Sequence, residues 1–353
     1  MIYRDYVPAH IKSKRIINLL EMIREIEQIC GGRAPLDIEF AKTKDGSLYL
    51  LQVRRITVQR NWNRRVQRLV AESVYQIEEF FVNRSQQRVH LAGSRTIMGQ
   101  MPDWNPAELI GTHPRPLALS LFRYLISNHV WSEARSQMGY RAVPGETLMV
   151  TLAGHPYIDT RNSFNSFLPA GLEPEIEHRL IDSWIDRLDR HPEFHDQVEF
   201  QISQTVVDFS FDKNYKDRYA NTLTLEQYQQ YKAQLHTLTC NNLNLSPDGS
   251  LRKALASIRE LEQAQQSESF GLVSSLWKAT KLLLECRQLG TLPFSIIARH
   301  AFIAETFLRS AVFRGAISTE RLEAFKRSLD TVAKKFTVDF QKVLGGRLDK
   351  SIF

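Results

Sequence analysis

Two short runs of the sequence, PLDIEF and SLYLLQVR, alternate apolar and polar residues on either side of an Asp-Gly pair. Alternation with a period of two around Asp-Gly predicts a β-hairpin with a two-residue turn. In that register one face collects two carboxylates, an amide and a guanidinium, from Asp37, Glu39, Gln52 and Arg54. Carboxylate and amide oxygens are ligands that Mg²⁺ accepts, and a guanidinium pairs with phosphate. The pattern therefore predicts either a contact with a magnesium nucleotide or a solvent-facing hairpin whose acids pair with Arg54.

The same register gives the opposite face to four apolar residues, Ile38, Phe40, Leu51 and Val53. Glu39 then lies directly across from Gln52, and Asp37 across from Arg54, if the Asp-Gly pair alone forms the turn. A slip of one residue would mix the two faces, so the segregation of polar and apolar side chains itself supports the register.

A second set of candidate residues lies between residues 95 and 161, in segments punctuated by glycine and proline that we predict to be mostly loops. They are Arg95, His113, Arg115, Arg141 and Arg161, together with His155 and Asp159 of the GHPYID segment as an acid–base pair. Loop arginines beside such a pair form a candidate surface for an anionic acceptor molecule. The alternative is structural, with arginines that bind carbonyls or acidic neighbours and a His–Asp pair that hydrogen-bonds within the core.

The elements that position these residues are predicted to be mainly helical. Apolar residues at spacings of three and four predict helices over residues 11–30, 62–83, 117–138 and 173–190. Beyond residue 250 the same spacing predicts helices at 251–266, 268–289, 293–313 and 318–344. Strand-like runs occur at residues 147–160 and 197–211, in addition to the hairpin.

The predicted fold class is therefore α+β and mainly helical, with a β-hairpin near the start and a few strands in a helix-rich remainder. A chain of 353 residues is long enough for two or three domains. We predict boundaries that separate residues 1–60, an α+β middle domain at 61–245 and a helical subdomain at 246–353. The second boundary rests on the turn-rich segment NNLNLSPDGS.

The hairpin segment resembles the end of the ATP-binding (ATP-grasp) domain of the pyruvate phosphate dikinase and phosphoenolpyruvate synthase family. The family's pattern is P-x-D-I-E-[FW], an Asp-Gly hairpin and L-x-[LM]-L-Q-x-R-P, which this sequence matches up to Arg54. The resemblance implies that Glu39 and Gln52 hold the metal ions on ATP and that Arg54 contacts phosphate, with Mg²⁺ as the cofactor. The sequence departs from the pattern at Arg55, where the family has proline, at a position that ends the strand and carries no chemistry.

A second segment, NPAELIGTHPRPLALS at residues 105–120, is similar to the Asn…Glu…Pro-x-Pro-Leu segment of phosphoenolpyruvate synthase-like phosphotransferases, including rifampicin phosphotransferases. In that family the segment opens the domain between the ATP-grasp domain and a swivelling phosphohistidine domain. None of the ten histidines lies in the Gly-rich Ser-His or Thr-His context that carries the phosphoryl group. The N-terminal half of an ATP-grasp fold has no room before Glu39.

The resemblance therefore implies an interior part of a larger phosphotransferase, inactive alone, whose partners are the other ATP-grasp half and a phosphohistidine domain. The implied reaction moves a phosphoryl group from Mg·ATP through an enzyme histidine to pyruvate, with phosphoenolpyruvate as the related ligand, or to another small acceptor. Two alternatives remain open. One is a non-catalytic binding or scaffold protein descended from such an enzyme, and the other is a rifampicin-phosphotransferase-like kinase with a hydrophobic acceptor pocket in the middle domain.

Composition limits the classes of protein to which the chain can belong. Apolar residues make up 43% and charged residues 24% of the chain, which excludes wholesale disorder. The sequence contains no apolar run long enough to predict a membrane-spanning helix or a signal peptide, so no membrane partner is expected. Three widely spaced cysteines form no disulfide framework, and we expect a cytoplasmic location. The net charge of +7 favours anionic partners, but no RNA-binding motif accompanies it, so nucleic acid is not the expected one.

Overall fold

The computed structural model describes residues 14–31, 36–43, 45–55, 64–84, 86, 88, 90–267 and 274–345. The chain forms two compact units, residues 1–83 and residues 84–353, and each is described here by itself. The predicted boundary at residue 60 lies outside the described residues, and the one at residue 245 falls in a loop within the second unit. Both boundaries stay predictions.

The first unit holds two helices and a two-stranded antiparallel hairpin. Its elements are α1 (Lys14–Ile29), β1 (Leu36–Lys42), β2 (Leu48–Arg55) and α2 (Arg64–Arg84), whose last residue belongs to the second unit. Leu20 and Ile26 are the buried side chains of the apolar stripe that predicted α1. The helix stops before Gly31, whose φ of 83° lies in the left-handed region that commonly follows a helix end.

The second unit combines a small sheet with most of the helices, so the predicted class, α+β and mainly helical, is confirmed. Its strands are β3 (Met98–Gly99), β4 (Met149–Leu152) and β5 (His155–Asp159), arranged antiparallel in the order β3-β5-β4. Its helices are α3 (Pro106–Leu109), α4 (Pro116–Phe122), α5 (Val130–Gln137), α6 (Thr160–Asn165), α7 (Pro174–Arg190), α8 (Phe211–Tyr219), α9 (Leu225–Asn242), α10 (Ser250–Ser267), α11 (Ser275–Glu285), α12 (Leu292–Phe313), α13 (Thr319–Ser328) and α14 (Val332–Leu344).

Helix α7 shows how the sequence forms the centre of this unit. Pro174 occupies the first turn, where a missing N–H costs nothing, and acidic residues follow it in that turn. Arginines occupy the last turn, where they complement the negative end of the helix dipole. One face is buried at helical spacing, by Ile176, Leu180, Ile181, Trp184, Ile185 and Leu188. The ring of Trp184 packs edge-on against Phe164 of α6.

Two hydrophobic clusters form the core of the second unit. The larger joins α5, α6, α7, α9 and α12 through side chains such as Phe164, Trp184, Leu235 and Ile303. The smaller lies against the sheet and includes Trp131 and Ile158. The segment 91–97, predicted as a loop, is held on this core by hydrogen bonds. At its centre Gly93 has a φ of 89°, and a Cβ there would lie 2.4 Å from Ile181 Cγ2, so only glycine fits.

The strand predicted over residues 197–211 is wrong. Residues Val198–Ile202 form a single π-helical turn, and the chain then runs without a strand partner to α8. Its carbonyls accept hydrogen bonds from buried tyrosine hydroxyls instead. Tyr219 donates to Ile202 O at 2.6 Å, Tyr231 to Gln204 O at 2.9 Å and Tyr140 to Thr205 O at 3.0 Å. Side chains thus satisfy the backbone where a neighbouring strand was expected.

The remaining helices agree with the periodicity except at the following places. The helix predicted at 117–138 is broken into α4 and α5 by a π-helical turn and by His129, whose φ is −144°. The helix predicted at 318–344 is two helices, because Leu329 is extended and Thr331 caps a new start. Helices α3, α6, α8 and α9 were not predicted, although the capping box of Thr224 and Gln227 marks the start of α9. Within the described residues, no helix has both the length and the apolar character that crossing a bilayer requires.

Candidate functional site

The hairpin β1–β2 has the predicted pairing in the half that lies away from the turn. Asp37 pairs with Arg54 and Glu39 with Gln52, so the four polar side chains lie on one face. Beyond Glu39 the register passes to Phe40 opposite Leu50, so that one strand carries the extra residue of a β-bulge. The prediction of this register throughout, and of a two-residue turn, is therefore wrong.

The turn itself is longer than predicted. Thr43 N–H donates to Ser47 O at 3.0 Å, and Gly46 N–H donates to Thr43 O at the same distance. Gly46 has a φ of 92°, which is typical of the last loop residue in a three-residue hairpin. Both predictions are wrong for the same reason. The third loop residue shifts the pairing of the two strands by one residue next to the turn, and the bulge between Glu39 and Phe40 restores the predicted pairing farther from the turn.

Arg54 already has partners on the polar face. Its Nη2 donates to Asp37 Oδ2 at 2.9 Å and to Glu39 Oε1 at 3.2 Å. The three side chains are 48–56% exposed, so water competes for every one of these contacts. Exposed ion pairs contribute about 0–1 kcal/mol to stability, so they exchange readily for a more highly charged ligand.

The hairpin residues fit part of a magnesium site. Glu39 and Gln52 offer two oxygen ligands at paired positions, and Mg²⁺ takes its remaining ligands from water and nucleotide phosphates. In the part of the chain that the structure describes, no three His, Cys, Asp or Glu side chains are grouped so as to hold a metal ion. The hairpin can therefore contribute to a metal ion shared with a nucleotide, but not hold one by itself.

Two of the predicted acceptor-binding arginines are paired with acids. Arg95 Nη2 lies 2.7 Å from Asp186 Oδ1 and 3.3 Å from Asp189 Oδ2 on α7. Arg141 Nε lies 2.9 Å from Glu177 Oε1, also on α7. Burial raises the pKa of Glu177, and the Arg141 guanidinium lowers it again in part. Both arginines therefore attach loops to α7.

Asp159 and Arg161 are buried structural groups. Asp159 caps α6 through hydrogen bonds from the N–H groups of Arg161 and Asn162, and its other oxygen accepts from Arg84 Nε at 2.7 Å. Arg161 donates to backbone carbonyls, including Ala92 O at 3.1 Å. Burial lowers the pKa of Arg161, while Asp159 opposes that effect. This matches the structural alternative in the sequence analysis.

The predicted His155–Asp159 acid–base pair is not brought together. The two residues lie at opposite ends of β5, and a strand rises about 3.3 Å per residue, so roughly 13 Å separates them. The ring of His155 instead meets that of His113, with centroids 4.0 Å apart. Arg115 is exposed just before α4. The structure therefore brings His113 and His155 together, and the acceptor-binding role of His113, His155 and Arg115 stays a prediction.

A site that the sequence analysis did not identify lies wholly within the second unit. It is a cavity of about 350 Å³, which we call the Arg299 cavity. It lies among the loop 101–105, helix α5, residues 196–199 and helix α12. Four aromatic residues, Trp104, Trp131, Phe294 and Phe302, line it together with the charged residues Asp103, Arg135, Asp196, Glu199 and Arg299.

Asp103 and Arg135 form a buried ion pair with two hydrogen bonds on one side of this cavity. Arg135 Nη1 donates to Asp103 Oδ2 at 2.9 Å, and Nη2 donates to Oδ1 at 2.7 Å. Ser163 Oγ donates to Asp103 Oδ2 at 2.6 Å, and Arg135 Nη1 also donates to Ser166 Oγ at 2.6 Å. The charges of this pair are therefore matched within the protein.

The loop that carries Asp103 is strained. Asp103, Trp104 and Asn105 have φ values of 49°, 54° and 31°, a conformation that residues other than glycine rarely adopt. Such residues cost about 1–3 kcal/mol each and persist only where the surroundings hold them. The Asp103 pair holds one end, and Asn105 holds the other by capping α3 with its side chain. These contacts on either side of Trp104 keep it in the cavity wall.

Arg299 differs from Arg135 because its counter-charge, Glu199, is too distant to accept a hydrogen bond from it. The residue is 4% exposed, its Nη2 donates to Thr205 Oγ1, and its Nε and Nη1 have no hydrogen-bond partner. Glu199 Oε1 is 4.0 Å from Nη1, beyond hydrogen-bond distance. Burial, with a smaller contribution from Asp103, raises the pKa of Glu199, and the two arginines offset this only in part.

One signal in the sequence could have identified Arg299. Helix α12 is apolar over most of its length, and its buried stripe includes Ile296, Arg299 and Ile303 at spacings of three and four. A charge within such a stripe must be buried, and a buried charge needs a partner. The other cavity residues come from distant segments and carry no local pattern.

The chain was compared with models of protein families, with curated proteins and with solved structures, and no match was found in any of them. The family resemblance of the hairpin therefore stays a prediction from the residues that carry it. The geometry of the hairpin and of the Arg299 cavity is the basis for the functional proposals.

Proposed function

We propose that this chain is part of an ATP-dependent phosphotransferase of the phosphoenolpyruvate synthase type, in which the hairpin contributes contacts to the magnesium ion and phosphates of ATP. The observation that carries the proposal is the pairing of Glu39 with Gln52 beside Arg54 on one exposed face. This combination of two oxygen ligands and a guanidinium suits a metal–phosphate ligand, and it agrees with the family pattern over the same residues.

In this proposal each hairpin residue has a separate task. Glu39 and Gln52 hold Mg²⁺, which neutralises charge on the phosphates when it is bound. Arg54 leaves Asp37 and Glu39 and pairs with phosphate oxygens, which carry more charge than a carboxylate. When no nucleotide is bound, the ion pair with Asp37 keeps Arg54 oriented. The hairpin is thus a pre-arranged ligand set whose internal ion pairs are weak enough to be replaced.

The rest of the reaction depends on groups that the resemblance assigns to other domains. A second ATP-grasp half supplies the cradling cations, and a phosphohistidine domain carries the phosphoryl group to pyruvate or a related small acceptor. ATP-grasp membership, the magnesium cofactor and the acceptor are all parts of this proposal.

The test is ATP-dependent phosphorylation by the complete enzyme that the proposal implies, measured with labelled ATP. Glu39→Ala and Gln52→Ala each remove one oxygen ligand, and each is expected to lower phosphorylation by at least about tenfold, the loss of one charge-assisted contact. Arg54→Lys keeps the charge but loses the planar guanidinium, so it is expected to raise the KM for ATP.

Glu72→Gln is the matched control, because Glu72 is an exposed acid in the same unit that pairs with Arg68 on α2. It removes the same charge without touching the hairpin and is expected to leave phosphorylation unchanged. Full activity in Glu39→Ala and Gln52→Ala would refute the metal assignment. An equal loss in Glu72→Gln would assign the effect to the charge of the unit and not to a ligand.

The second candidate is a non-catalytic binding protein, and the Arg299 cavity is the observation that favours it. The residues that line the cavity all belong to the second unit, so this chain can form the site without further domains. Ligand binding that persists in a protein without ATP-dependent phosphorylation would favour this candidate. If the cavity binds a hydrophobic acceptor of the antibiotic type, the chain has both functions, because it binds the acceptor and takes part in its phosphorylation.

A further inference from the structure

The unpaired donors of Arg299 require an explanation that the fold alone does not provide. Aromatic rings of Tyr140, Phe167 and Phe302 lie 5.2–5.8 Å from its guanidinium carbon. Rings stabilise the positive charge but offer no oxygen or nitrogen acceptor to its N–H groups. Nε and Nη1 therefore keep N–H groups without an acceptor. A buried donor without an acceptor is costly, and more so when the group is charged.

The acids around the cavity do not supply the missing acceptor. Asp103 is fully engaged by Arg135 and Ser163. Glu199 stays 4.0 Å from Nη1, and Asp196 is exposed where it borders the cavity. Within the described part of this cavity wall, no acid therefore accepts a hydrogen bond from Arg299 Nε or Nη1.

A further donor lies in the same wall. Trp131 Nε1 is buried and has no hydrogen-bond partner, and Trp131 lines the cavity. Its N–H adds to those of Arg299, whereas the acceptors around them are already used or held at a distance. Three nitrogen donors without partners thus belong to two side chains that line one cavity, which favours an occupant that brings oxygen acceptors.

The remaining walls are aromatic. Trp104 and Phe294 lie with ring centroids 6.0 Å apart, and Phe302 continues the apolar surface towards Arg299. The volume of about 350 Å³ is in the range of small-molecule sites. The loop that carries Trp104 is held on both sides by Asp103 and Asn105 before any ligand arrives, which reduces the entropy lost on binding.

We propose that the Arg299 cavity binds a small molecule with a carboxylate on an aromatic or aliphatic body. The carboxylate oxygens accept hydrogen bonds from Arg299 Nε and Nη1, and the body packs against Trp104, Phe294 and Phe302. Trp131 Nε1 donates to an oxygen of the same ligand. This site involves residues of the second unit alone and does not depend on the nucleotide proposal for the hairpin.

The test is binding of 3-phenylpropionate to the full 353-residue chain, followed by tryptophan fluorescence, since Trp104 and Trp131 are in the cavity wall. 3-Phenylpropionamide has the same shape without the charge, and acetate has the carboxylate without the ring. We expect the acid to bind at least about tenfold more tightly than either one. Arg299→Gln is expected to reduce the difference between acid and amide to about twofold or less.

Two further variants keep the result interpretable. Ala298→Phe fills the cavity from a half-buried wall position without removing a charge, and it is expected to abolish binding of the acid. Arg179→Gln removes an exposed arginine paired with Glu175 on α7, and it is expected to bind the acid as the wild type does. Thermal unfolding of each variant shows that it is folded.

Three outcomes overturn the proposal. The first is equal affinity for the acid and the amide in the wild type, and the second is no binding of the acid at about 10 mM. The third is unchanged binding of the acid in folded Ala298→Phe, which would place the ligand elsewhere. Loss of hairpin function has no bearing on these measurements, so failure of one proposal is distinguishable from failure of the other.

Discussion

The two units carry the same pair of ionic groups in opposite surroundings. In the first unit Arg54 meets Asp37 with one hydrogen bond, and both side chains are about half-exposed. In the second unit Arg135 meets Asp103 with two hydrogen bonds, and both are buried. Water can replace the partner in the first pair but not in the second. The exposed pair is therefore exchangeable, and the buried pair is part of the structure.

Arg299 can be compared with Arg54 in the same way, as a candidate contact for a ligand. A ligand that takes Arg54 from its partners replaces one exposed contact with another, so selectivity at the hairpin depends on charge. A ligand that reaches Arg299 satisfies donors that nothing else satisfies, so selectivity there depends on shape and acceptor geometry. The two proposals therefore differ in the ligand they name, a highly charged phosphate at the hairpin and a less charged molecule with an apolar body in the cavity.

The largest effect is expected from breaking the buried pair. Arg135→Ala leaves Asp103 buried without a counter-ion, which typically costs about 3–5 kcal/mol of unfolding free energy. Urea denaturation followed by circular dichroism measures this cost. Arg179→Ala, which breaks an exposed pair in the same unit, is expected to cost about 1 kcal/mol or less. Equal costs for the two variants would remove the distinction between buried and exposed pairs.

A smaller effect is expected from Glu199 and depends on pH. Because burial raises the pKa of Glu199 above its ordinary 4.5, the folded chain binds a proton at pH values where the unfolded chain has released it. The stability associated with this proton is complete below pH 4.5 and is lost as pH rises through the folded-state value. Glu199→Gln is therefore expected to raise the melting temperature at neutral pH, with a difference that shrinks towards pH 4.

Glu39→Gln is the exposed counterpart for this measurement, since Glu39 lies on the open face of the hairpin. We expect it to change stability by no more than about 0.5 kcal/mol. A melting temperature for Glu199→Gln that is lower than the wild type at neutral pH would mean that the attraction of Arg299 and Arg135 outweighs burial.

The smallest effect is expected at the hairpin. Asp37→Asn removes the 2.9 Å ion pair with Arg54, and the cost is expected to be about 0–1 kcal/mol at low ionic strength. The cost should disappear in 1 M salt, where the Debye length is about 3 Å. Denaturation at the two salt concentrations measures it. A cost above about 2 kcal/mol at high salt would show that the hairpin pair is structural.

Much of the fold was predictable because its signals are local. The stripe that predicted α7 lies within 17 consecutive residues, and the pairing of Glu39 with Gln52 follows from alternation on both sides of one turn. The bulge was not predictable, because the alternation of residue types does not record how many residues the loop uses. Periodicity also cannot detect a helix break such as the one between α13 and α14, which depends on a cap.

Non-local structure accounts for the remaining differences. Residues 197–211 alternate like a strand, yet their hydrogen-bond partners are tyrosines that lie as many as 65 positions away in the sequence. The Arg299 cavity likewise joins segments around residues 103, 135, 199 and 299. Nothing in the local pattern around Asp103 or Glu199 indicates that they meet. The one local signal of the site is the charged residue Arg299 within the buried stripe of α12.

The tyrosine contacts of the 198–210 segment also give the second unit an alkaline limit. A phenol can donate to a carbonyl only while it keeps its proton. Burial raises the pKa of both Tyr219 and Tyr231 above the ordinary 10.0. Above pH 10 the unfolded chain therefore releases protons that the folded chain retains, and the stability that these hydroxyls provide is lost as pH rises further. The residues that replace a neighbouring strand thus make this segment sensitive to base, which a ladder of backbone hydrogen bonds would not be.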